Sequence, residues 1–205
     1  MKRHKRLISA ALLVVLFLIP YKVHKHLVPG KSFADVPGLP APLSPYDSLI
    51  RTYADSIDWD WRLVAAIICQ ESRFNSQVIS PGGAVGLMQI QSAQYSQETL
   101  LNPEQNIRIG TQYLRKLEQM FPAASAQDTL QFTLSAYNMG ERKLQQLRDD
   151  AQACGKNAGR WEEVLPQWHA TRRYVNNILR RYELYRVTQP SAARLRVLSD
   201  TIPTN

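Results

Sequence analysis

Apolar residues recur at intervals of three and four along most of the chain after residue 45, and no stretch of any length alternates between apolar and polar positions. The first spacing places side chains on one face of a helix, whereas alternation is typical of a half-buried strand. Turn signals separate the helical runs. We therefore expect an all-α domain.

The first two helices are predicted on either side of Asp58. One helix runs from about Pro45 to Ile57. Asp58 has a short acceptor side chain that suits an N-cap, so a second helix is expected from Trp59 to Ser72. One face of this second helix carries Val64, Ile67, Ile68 and Glu71.

Capping signals mark the next two helices. Asn102 offers an N-cap, Pro103 occupies the favoured first helical position, and Gln105 is placed to complete a capping box. Ser125, followed three residues later by Asp128, gives a similar signal. Both positions precede runs with helical spacing, so a helix is expected after each.

Two further helices complete the predicted domain. A polar helix runs from Gly140 to Cys154 and stops at Gly155. A last helix, from Ala170 to Val187, places tyrosines along one side. We interpret residues 187–205, which lack a helical period, as an irregular C-terminal tail.

Residues 1–27 have the layout of an export signal or membrane anchor. The basic start, residues 1–6, precedes an apolar run of 13 residues from Leu7 to Ile19. This run is shorter than the roughly 20 residues of a full membrane span, which favours a cleaved signal peptide. No small-x-small cleavage site follows it directly, however. We favour an uncleaved anchor that holds the protein at the inner membrane, facing the periplasm; a cleaved signal is the alternative.

Residues 28–45 contain five prolines and two glycines, a composition that resists helix and sheet, so we interpret them as a linker. Charge supports the same division of the chain. Residues 1–31 hold seven of the 25 Lys and Arg residues and none of the 17 acids, so the remainder is close to neutral. The net charge of +8 is therefore mainly a property of the leader and does not indicate a nucleic-acid-binding domain.

Other candidate binding residues have simpler interpretations. Cys69 lies in an apolar helical run and is expected to be a small core residue; its pairing with Cys154 stays open. Three of the four histidines lie in the leader, so no metal site is expected. The tyrosines within Arg180–Arg186 point inward at helical spacing, which disfavours a nucleic-acid face. Core positions are also expected for the four tryptophans, Trp59, Trp61, Trp161 and Trp168.

Glu71 is the most conspicuous chemical group, since it follows the apolar run from Trp61 to Cys69. The helix dipole disfavours a negative charge at a helix C-terminus, and burial beside Ile68 removes the carboxyl from water. Both effects raise a carboxyl pKa. A glutamic acid that keeps its proton near neutral pH can act as a general acid in glycosidic cleavage. The alternative is an ordinary surface ion pair with Arg73 or Arg115.

Most glycosidases use two carboxylates that flank the scissile bond. Asp60 precedes Glu71 by eleven residues on the same predicted helix, which places it about 16 Å away. Asp60 is therefore excluded as a partner. Glu98 and Glu104 remain open, and with them a hydrolytic mechanism.

Five motifs around and after Glu71 resemble, in order and spacing, the catalytic domain of bacterial lytic transglycosylases. They are Gln70-Glu71-Ser72, Gly83-Ala84-Val85-Gly86-Leu87-Met88-Gln89-Ile90, Leu101-Asn102-Pro103-Glu104-Gln105-Asn106-Ile107, Ala136-Tyr137-Asn138-x-Gly140 and Tyr174-Val175-x-x-Ile178. The similarity is strongest to the soluble-lytic-transglycosylase-like domain of the membrane-bound F type, and it covers about residues 46–186. It implies a lysozyme-like helical domain of the goose type with a substrate groove.

The resemblance also implies an activity and its residues. Glu71 matches the single catalytic acid and base of the family, which cleaves the bond between N-acetylmuramic acid and N-acetylglucosamine in peptidoglycan without water and leaves 1,6-anhydro ends. Neither cofactor nor metal is implied. Gly86 is expected to permit close backbone approach and Tyr174 to hold Glu71 in place. Positions that match substrate-binding residues are Ser72, Met88, Gln89, Tyr137 and Asn138.

Several of these positions also have a purely structural interpretation. Ser72 would suit the polar end of any helix, Met88 would suit plain core packing, and Tyr174 could be one member of an aromatic core stripe. Tyr137 and Asn138 could be a core tyrosine and a capping asparagine. The resemblance favours the functional interpretation at each position.

The chain departs from the family pattern at Ala170, where relatives often have glutamate before the Thr-x-x-Tyr-Val motif. The segment between Trp161 and Tyr174 is also short, which predicts a lower or more open groove wall. We predict a monomeric lytic transglycosylase acting on glycan strands. A goose-type muramidase that uses water and a catalytically weak peptidoglycan-binding scaffold are the alternatives.

Overall fold

The computed structural model describes residues 42–189, in which eight helices and no named strand are found. The all-α prediction is confirmed for this part of the chain. In chain order the helices are α1 (Asp47–Asp55), α2 (Trp61–Ser72), α3 (Gln97–Leu101), α4 (Pro103–Met120), α5 (Ala126–Met139), α6 (Glu141–Ala153), α7 (Trp161–Val164) and α8 (His169–Thr188).

Two short helices were not predicted. α3 has five residues and α7 has four. Segments of this length hold barely one helical turn, which is too short for a hydrophobic period to show. The loop between α2 and α3 is also ordered locally, because Val85 forms isolated antiparallel bridges with both Ile79 and Ile90.

Residues at the end of the predicted linker form hydrogen bonds with the start of the first helix. The Asp47 carboxylate accepts hydrogen bonds from the backbone N–H groups of Leu43 and Ser44, at 2.9 and 3.0 Å, and from the Ser44 hydroxyl at 2.8 Å. Ser44 is buried, and Leu43 packs against the core. Residues 43–45 therefore belong to the folded domain, although the composition placed them in the linker.

The predicted N-cap of α2 is wrong. Asp58 has a φ of 58°, and the next N–H, that of Trp59, donates back to the carbonyl of Ala54 at 3.0 Å. The chain thus turns sharply at Asp58, and the helix starts two residues later than predicted. Asp60 is the N-cap, and its side chain accepts from the N–H of Arg62.

The N-cap of α4 follows the prediction in part. Asn102 Oδ1 accepts from the Gln105 N–H at 3.0 Å. The reciprocal half of the capping box is absent, since the Gln105 side chain accepts from Arg108 instead. The Asn102 N–H already donates to the carbonyls of Glu98 and Thr99 at the end of α3, so it is not available to Gln105.

α2 is the central helix of the core, and α8 packs along it while also contacting α5. Eight of the twelve residues of α2 are buried, and these include Val64, Ile67 and Ile68. Burial of such side chains contributes about 1.5–3 kcal/mol each. The predicted core positions of three tryptophans, Trp59, Trp61 and Trp161, are confirmed, whereas Trp168 is half-buried.

The last helix is slightly longer than predicted, so the boundary at residue 186 falls inside α8. Cys69 is half-buried and Cys154 is exposed, and both are free thiols. Among residues 42–189 no helix has the length and hydrophobicity needed to cross a membrane. The predicted anchor, residues 1–27, and most of the predicted linker and tail lie outside the described residues.

Candidate active site

Glu71 lies in the last turn of α2, immediately before a sharp change in backbone direction. Arg73 caps the helix with a φ of 53°, and Phe74 follows with a φ of 62°. Left-handed backbone at two consecutive non-glycine residues is uncommon and costs energy. The helix consequently ends just after Glu71, and its carboxyl lies at the negative end of the helix dipole.

Among the carboxyl groups of residues 42–189 that have a shifted pKa, only Glu71 has a raised one. Burial raises the pKa of Glu71, and a hydrogen bond from Tyr174 opposes the shift without reversing it. The Tyr174 hydroxyl donates to Glu71 Oε1 at 2.5 Å. Burial and the nearby Glu71 charge hold the pKa of Tyr174 well above its usual value, so this phenol keeps its proton and acts as a donor.

No second carboxylate between residues 42 and 189 contributes to the pKa shift of Glu71. Asp60 is engaged at the opposite end of α2. Glu98 lies exposed on α3. Glu104, in the first turn of α4, accepts from the hydroxyl of Tyr53 at 2.8 Å. None of these three carboxylates therefore influences the pKa of Glu71.

Gly86 allows the loop before α3 to pack closely against α4. Its φ is 76°, and a Cβ at this position would approach the Leu100 carbonyl and the Asn106 side chain to 2.5 Å. An L-residue would be both strained and in collision here. The backbone at Gly86 thus lies close to other groups, as predicted. These groups are the Leu100 carbonyl and the Asn106 side chain.

Asn106 organises this loop and was missed in the sequence, although it lies within a quoted motif. It is fully buried. Its Oδ1 accepts from the Met88 N–H at 2.7 Å, and its Nδ2 donates to the carbonyls of Val85 and Leu100 at 2.9 and 2.7 Å. A polar residue four positions before Gly110, on an otherwise apolar stripe, was the available signal.

The side chain of Met88 is fully buried, which agrees with the core-packing interpretation. It fills the space beside Gly110, where an added Cβ would lie within 3.0 Å of three Met88 atoms. The Met88 main chain, in contrast, reaches a site residue, because its carbonyl accepts from the Tyr137 hydroxyl at 2.7 Å. Met88 thus positions the loop through its backbone.

Gln89 and Ser72 both make local hydrogen bonds. Gln89 has a φ of 49°, and its amide donates to the carbonyls of Gly86 and Val78 at 3.0 and 3.3 Å. Ser72 is buried, and its hydroxyl donates to the carbonyl of Ile68, one turn earlier in α2. The Ser72 bond is the one expected of an ordinary serine near a helix end.

Tyr137 and Asn138, at the end of α5, differ in exposure. Burial and the Glu71 charge hold the pKa of Tyr137 well above its usual value, which places its hydroxyl in the same electrostatic environment as the acid. Asn138 is exposed. Its Oδ1 accepts from the Thr171 hydroxyl at 2.9 Å. Thr171, a buried residue of α8, was not predicted to take part in the site.

Ala170, which departs from the family pattern, is exposed in the first turn of α8. This turn has no acidic side chain. Arg172 forms an ion pair with Glu162 at 2.6 Å and lies over the ring of Trp161. The start of α8 is thus tied to α7 through Arg172, with no carboxylate at position 170.

The described residues form a helical domain in which a half-buried glutamic acid accepts a hydrogen bond from a tyrosine. The sequence profile of the transglycosylase SLT domain matches residues 48–158, so the chain belongs to this family. A membrane-bound lytic murein transglycosylase F from Marinobacter nauticus is 34% identical over 181 residues. The match covers 77% of this chain and 36% of the relative.

A second relative of the same name, from Histophilus somni, is 38% identical over 126 residues, which are 60% of this chain and 26% of that protein. The chain therefore spans about a third or less of these relatives. Their shared name agrees with the resemblance found in the motifs.

Solved structures of similar fold are also lytic transglycosylases. The 70 kDa soluble lytic transglycosylase SLT70 from Escherichia coli has a TM-score of 0.59 and 32% identity, and the match covers 75% of this chain and 26% of SLT70. A complex of the 70 kDa soluble enzyme with bulgecin A matches with a TM-score of 0.57 and 32% identity, over 73% of this chain and 26% of that one. An inactive glutamate-to-glutamine mutant of Slt from Pseudomonas aeruginosa has a TM-score of 0.55 and 28% identity, over 73% of this chain and 25% of that one.

Proposed function

We propose that this protein is a peptidoglycan lytic transglycosylase in which Glu71 acts first as acid and then as base. One observation carries the proposal: Glu71 is a carboxyl whose pKa is raised by burial and which has no acidic neighbour among residues 42–189. A two-carboxylate glycosidase needs a second acid across the scissile bond. The membership of the SLT family supports the same reaction.

In the first step, protonated Glu71 donates its proton to the bridging oxygen between N-acetylmuramic acid and N-acetylglucosamine, and the glycosidic bond breaks. The resulting Glu71 carboxylate accepts the hydrogen bond from Tyr174, which stabilises the charge formed in a partly desolvated site.

In the second step, the Glu71 carboxylate removes the proton from the 6-hydroxyl of the muramic residue. That oxygen bonds to the anomeric carbon and closes the 1,6-anhydro ring. The proton taken from the hydroxyl restores protonated Glu71, so the cycle consumes no water. A single carboxyl that can hold and accept a proton in turn is sufficient for both steps.

The substrate-binding part of the proposal rests on the residues around Glu71. We assign contacts with the sugars to Asn138, which is exposed, and to the loop that contains Gln89. The Tyr137 hydroxyl donates to the Met88 carbonyl, and this bond holds the loop against α5. The named relatives are membrane-bound murein transglycosylases, so we place the domain in the periplasm, tethered by residues 1–27 through the linker.

The test is digestion of purified murein sacculi by the full-length protein, with mass spectrometry of the released fragments. Wild type is expected to release anhydro-muropeptides. Glu71→Gln keeps the shape of the side chain but has no proton to donate, and the expected loss of rate is about a thousandfold or more. Glu98→Gln and Glu104→Gln are matched controls and should retain activity.

Other outcomes would reject the proposal. Fragments with reducing muramic ends would identify a muramidase that uses water. Sedimentation of the protein with sacculi without any release would identify a binding scaffold. Equal rates for wild type and Glu71→Gln would show that another group supplies the proton.

A further inference from the structure

The bond between Thr171 and Asn138 joins a buried hydroxyl of α8 to an exposed amide at the end of α5. The two residues are 33 positions apart, so the contact is made only by the fold. An exposed asparagine has water available for its hydrogen bonds and needs no protein partner for stability. This bond therefore calls for another explanation.

Four threonines in the interiors or last turns of helices behave differently. The hydroxyls of Thr52, Thr111, Thr133 and Thr188 each donate to the carbonyl four residues earlier in their own helix. Thr171 lies in the first turn of α8, and the residue four positions earlier, Gln167, precedes the helix. Because the carbonyl four residues earlier lies outside the helix, the Thr171 hydroxyl does not make the bond of the other four and donates to Asn138 instead.

The direction of this bond fixes the orientation of the amide. Asn138 has one acceptor atom, Oδ1, and one atom with two donors, Nδ2. When Oδ1 receives the Thr171 proton, Nδ2 faces away from α8. The exposed side of Asn138 then presents hydrogen-bond donors.

The same face of α8 holds the acid. Tyr174 follows Thr171 by three residues, so both hydroxyls lie on one side of the helix. Tyr174 donates to Glu71 at the end of α2, and Thr171 donates to Asn138 at the end of α5. One helix face thus fixes two groups from different helices relative to each other.

We propose that Thr171 is a positioning residue that turns the Asn138 amide so that its N–H groups donate to an acceptor oxygen of the bound sugar. This inference rests on the proposed function, because it assigns Asn138 to substrate binding. Thr171 itself is buried and acts through Asn138.

The experiment measures kcat and KM for release of anhydro products from glycan strands, together with the thermal unfolding midpoint of each variant. Thr171→Val replaces the hydroxyl by a methyl group of the same size and is expected to reduce kcat/KM roughly two- to twelvefold, the equivalent of one lost hydrogen bond. Thr171→Ser keeps the hydroxyl and should restore the rate. Thr133→Val, a buried threonine that bonds only within its own helix, is the matched control and should change neither kcat nor KM.

Two further variants separate positioning from a structural effect. In an Asn138→Ala background, Thr171→Val is expected to cause no additional loss, since there is no amide left to orient. Asn138→Asp still accepts from Thr171 but cannot donate, so it should be as defective as Asn138→Ala. Because Asn138 is exposed, neither substitution at this position is expected to disturb folding.

The inference is overturned if Thr171→Val is as active as wild type, if it lowers the rate equally with and without Asn138, or if Asn138→Asp is fully active. Absence of anhydro products from wild type would instead reject the proposed function itself. The two failures are therefore distinguishable.

Discussion

Two acidic side chains lie at opposite ends of α2, and each accepts a hydrogen bond from a tyrosine of α8. Asp60, at the N-terminal end, accepts from Tyr182 at 3.0 Å, and Glu71, at the C-terminal end, accepts from Tyr174. Their pKa values nevertheless move in opposite directions. The pKa of Asp60 is lowered and that of Glu71 is raised.

The difference lies in the other partners of each carboxyl. Burial is the largest influence on both and raises both pKa values. At Asp60 it is outweighed by Arg62, which donates through its side chain at 2.8 Å and through its backbone N–H at 3.0 Å. The N-terminal end of the helix dipole acts in the same direction. No cation among residues 42–189 contributes to the pKa of Glu71, which lies at the C-terminal end of α2.

At Glu71 the hydrogen bond from a tyrosine does not by itself offset the effect of burial on the carboxyl pKa. The same type of partner accompanies a carboxyl with a lowered pKa at one end of α2 and a carboxyl with a raised pKa at the other. A nearby arginine and the polarity of the helix decide between the two. Three predictions test this account, and the first has the largest expected effect.

Asp60→Ala should destabilise the protein by about 2–4 kcal/mol, because it removes the N-cap and leaves the largely buried Arg62 without its anion. Urea unfolding at pH 7 measures this loss. The folded-state pKa of Asp60 is lowered, so its contribution is present at neutral pH and is lost as the pH falls below the ordinary aspartate value. Asp55→Ala, at an exposed neighbour, is the control; a loss below about 1 kcal/mol for Asp60→Ala would contradict this role.

Glu71→Gln should stabilise the protein by about 1 kcal/mol at neutral pH, because an ionised Glu71 is costly to bury. The folded-state pKa of Glu71 is raised, so the penalty develops as the pH rises from the ordinary glutamate value towards the raised value and is constant above it. The gain should vanish below about pH 4, where glutamate is protonated in both states. Unfolding curves at several pH values measure it, and a gain that is equal at all pH values would point to packing instead of charge.

The smallest effects are expected when the hydroxyl of Tyr174 or of Tyr182 is removed. Tyr174→Phe removes the bond that opposes burial, so the pKa of Glu71 should rise further and the alkaline limb of the activity profile should move to higher pH. Tyr182→Phe leaves Arg62 in place and should cost about 0.5–1.5 kcal/mol of stability, with an unchanged activity profile. Equal shifts of the profile in both variants would break the comparison.

Local sequence signals predicted much of this fold. Asn102 and Ser125 cap the helices that follow them, as their side chains indicated. The N-cap of α2 shows where such signals fail, since Asp58 and Asp60 are the same residue type two positions apart. Asp60 is selected by contacts with Tyr182 and Arg62, and Tyr182 is 122 positions away.

The candidate site was predictable to the extent that its residues lie in recognisable motifs. Glu71 and Tyr174 were identified in this way. Asn106 and Thr171 were missed because their partners, Val85 and Asn138, are distant in the sequence, and only the folded chain brings them together. The burial of Met88, a loop residue, likewise depends on the space that Gly110 leaves on α4.

The central claim is that burial raises the pKa of Glu71 while Arg62 lowers the pKa of Asp60. Carboxyl ¹³C NMR titration of the full-length protein, with Glu71→Gln used to assign the Glu71 resonance, measures both groups in one sample. We predict that Glu71 titrates above the ordinary glutamate value and Asp60 below the ordinary aspartate value. A Glu71 carboxyl that titrates at or below the ordinary glutamate value would contradict the account.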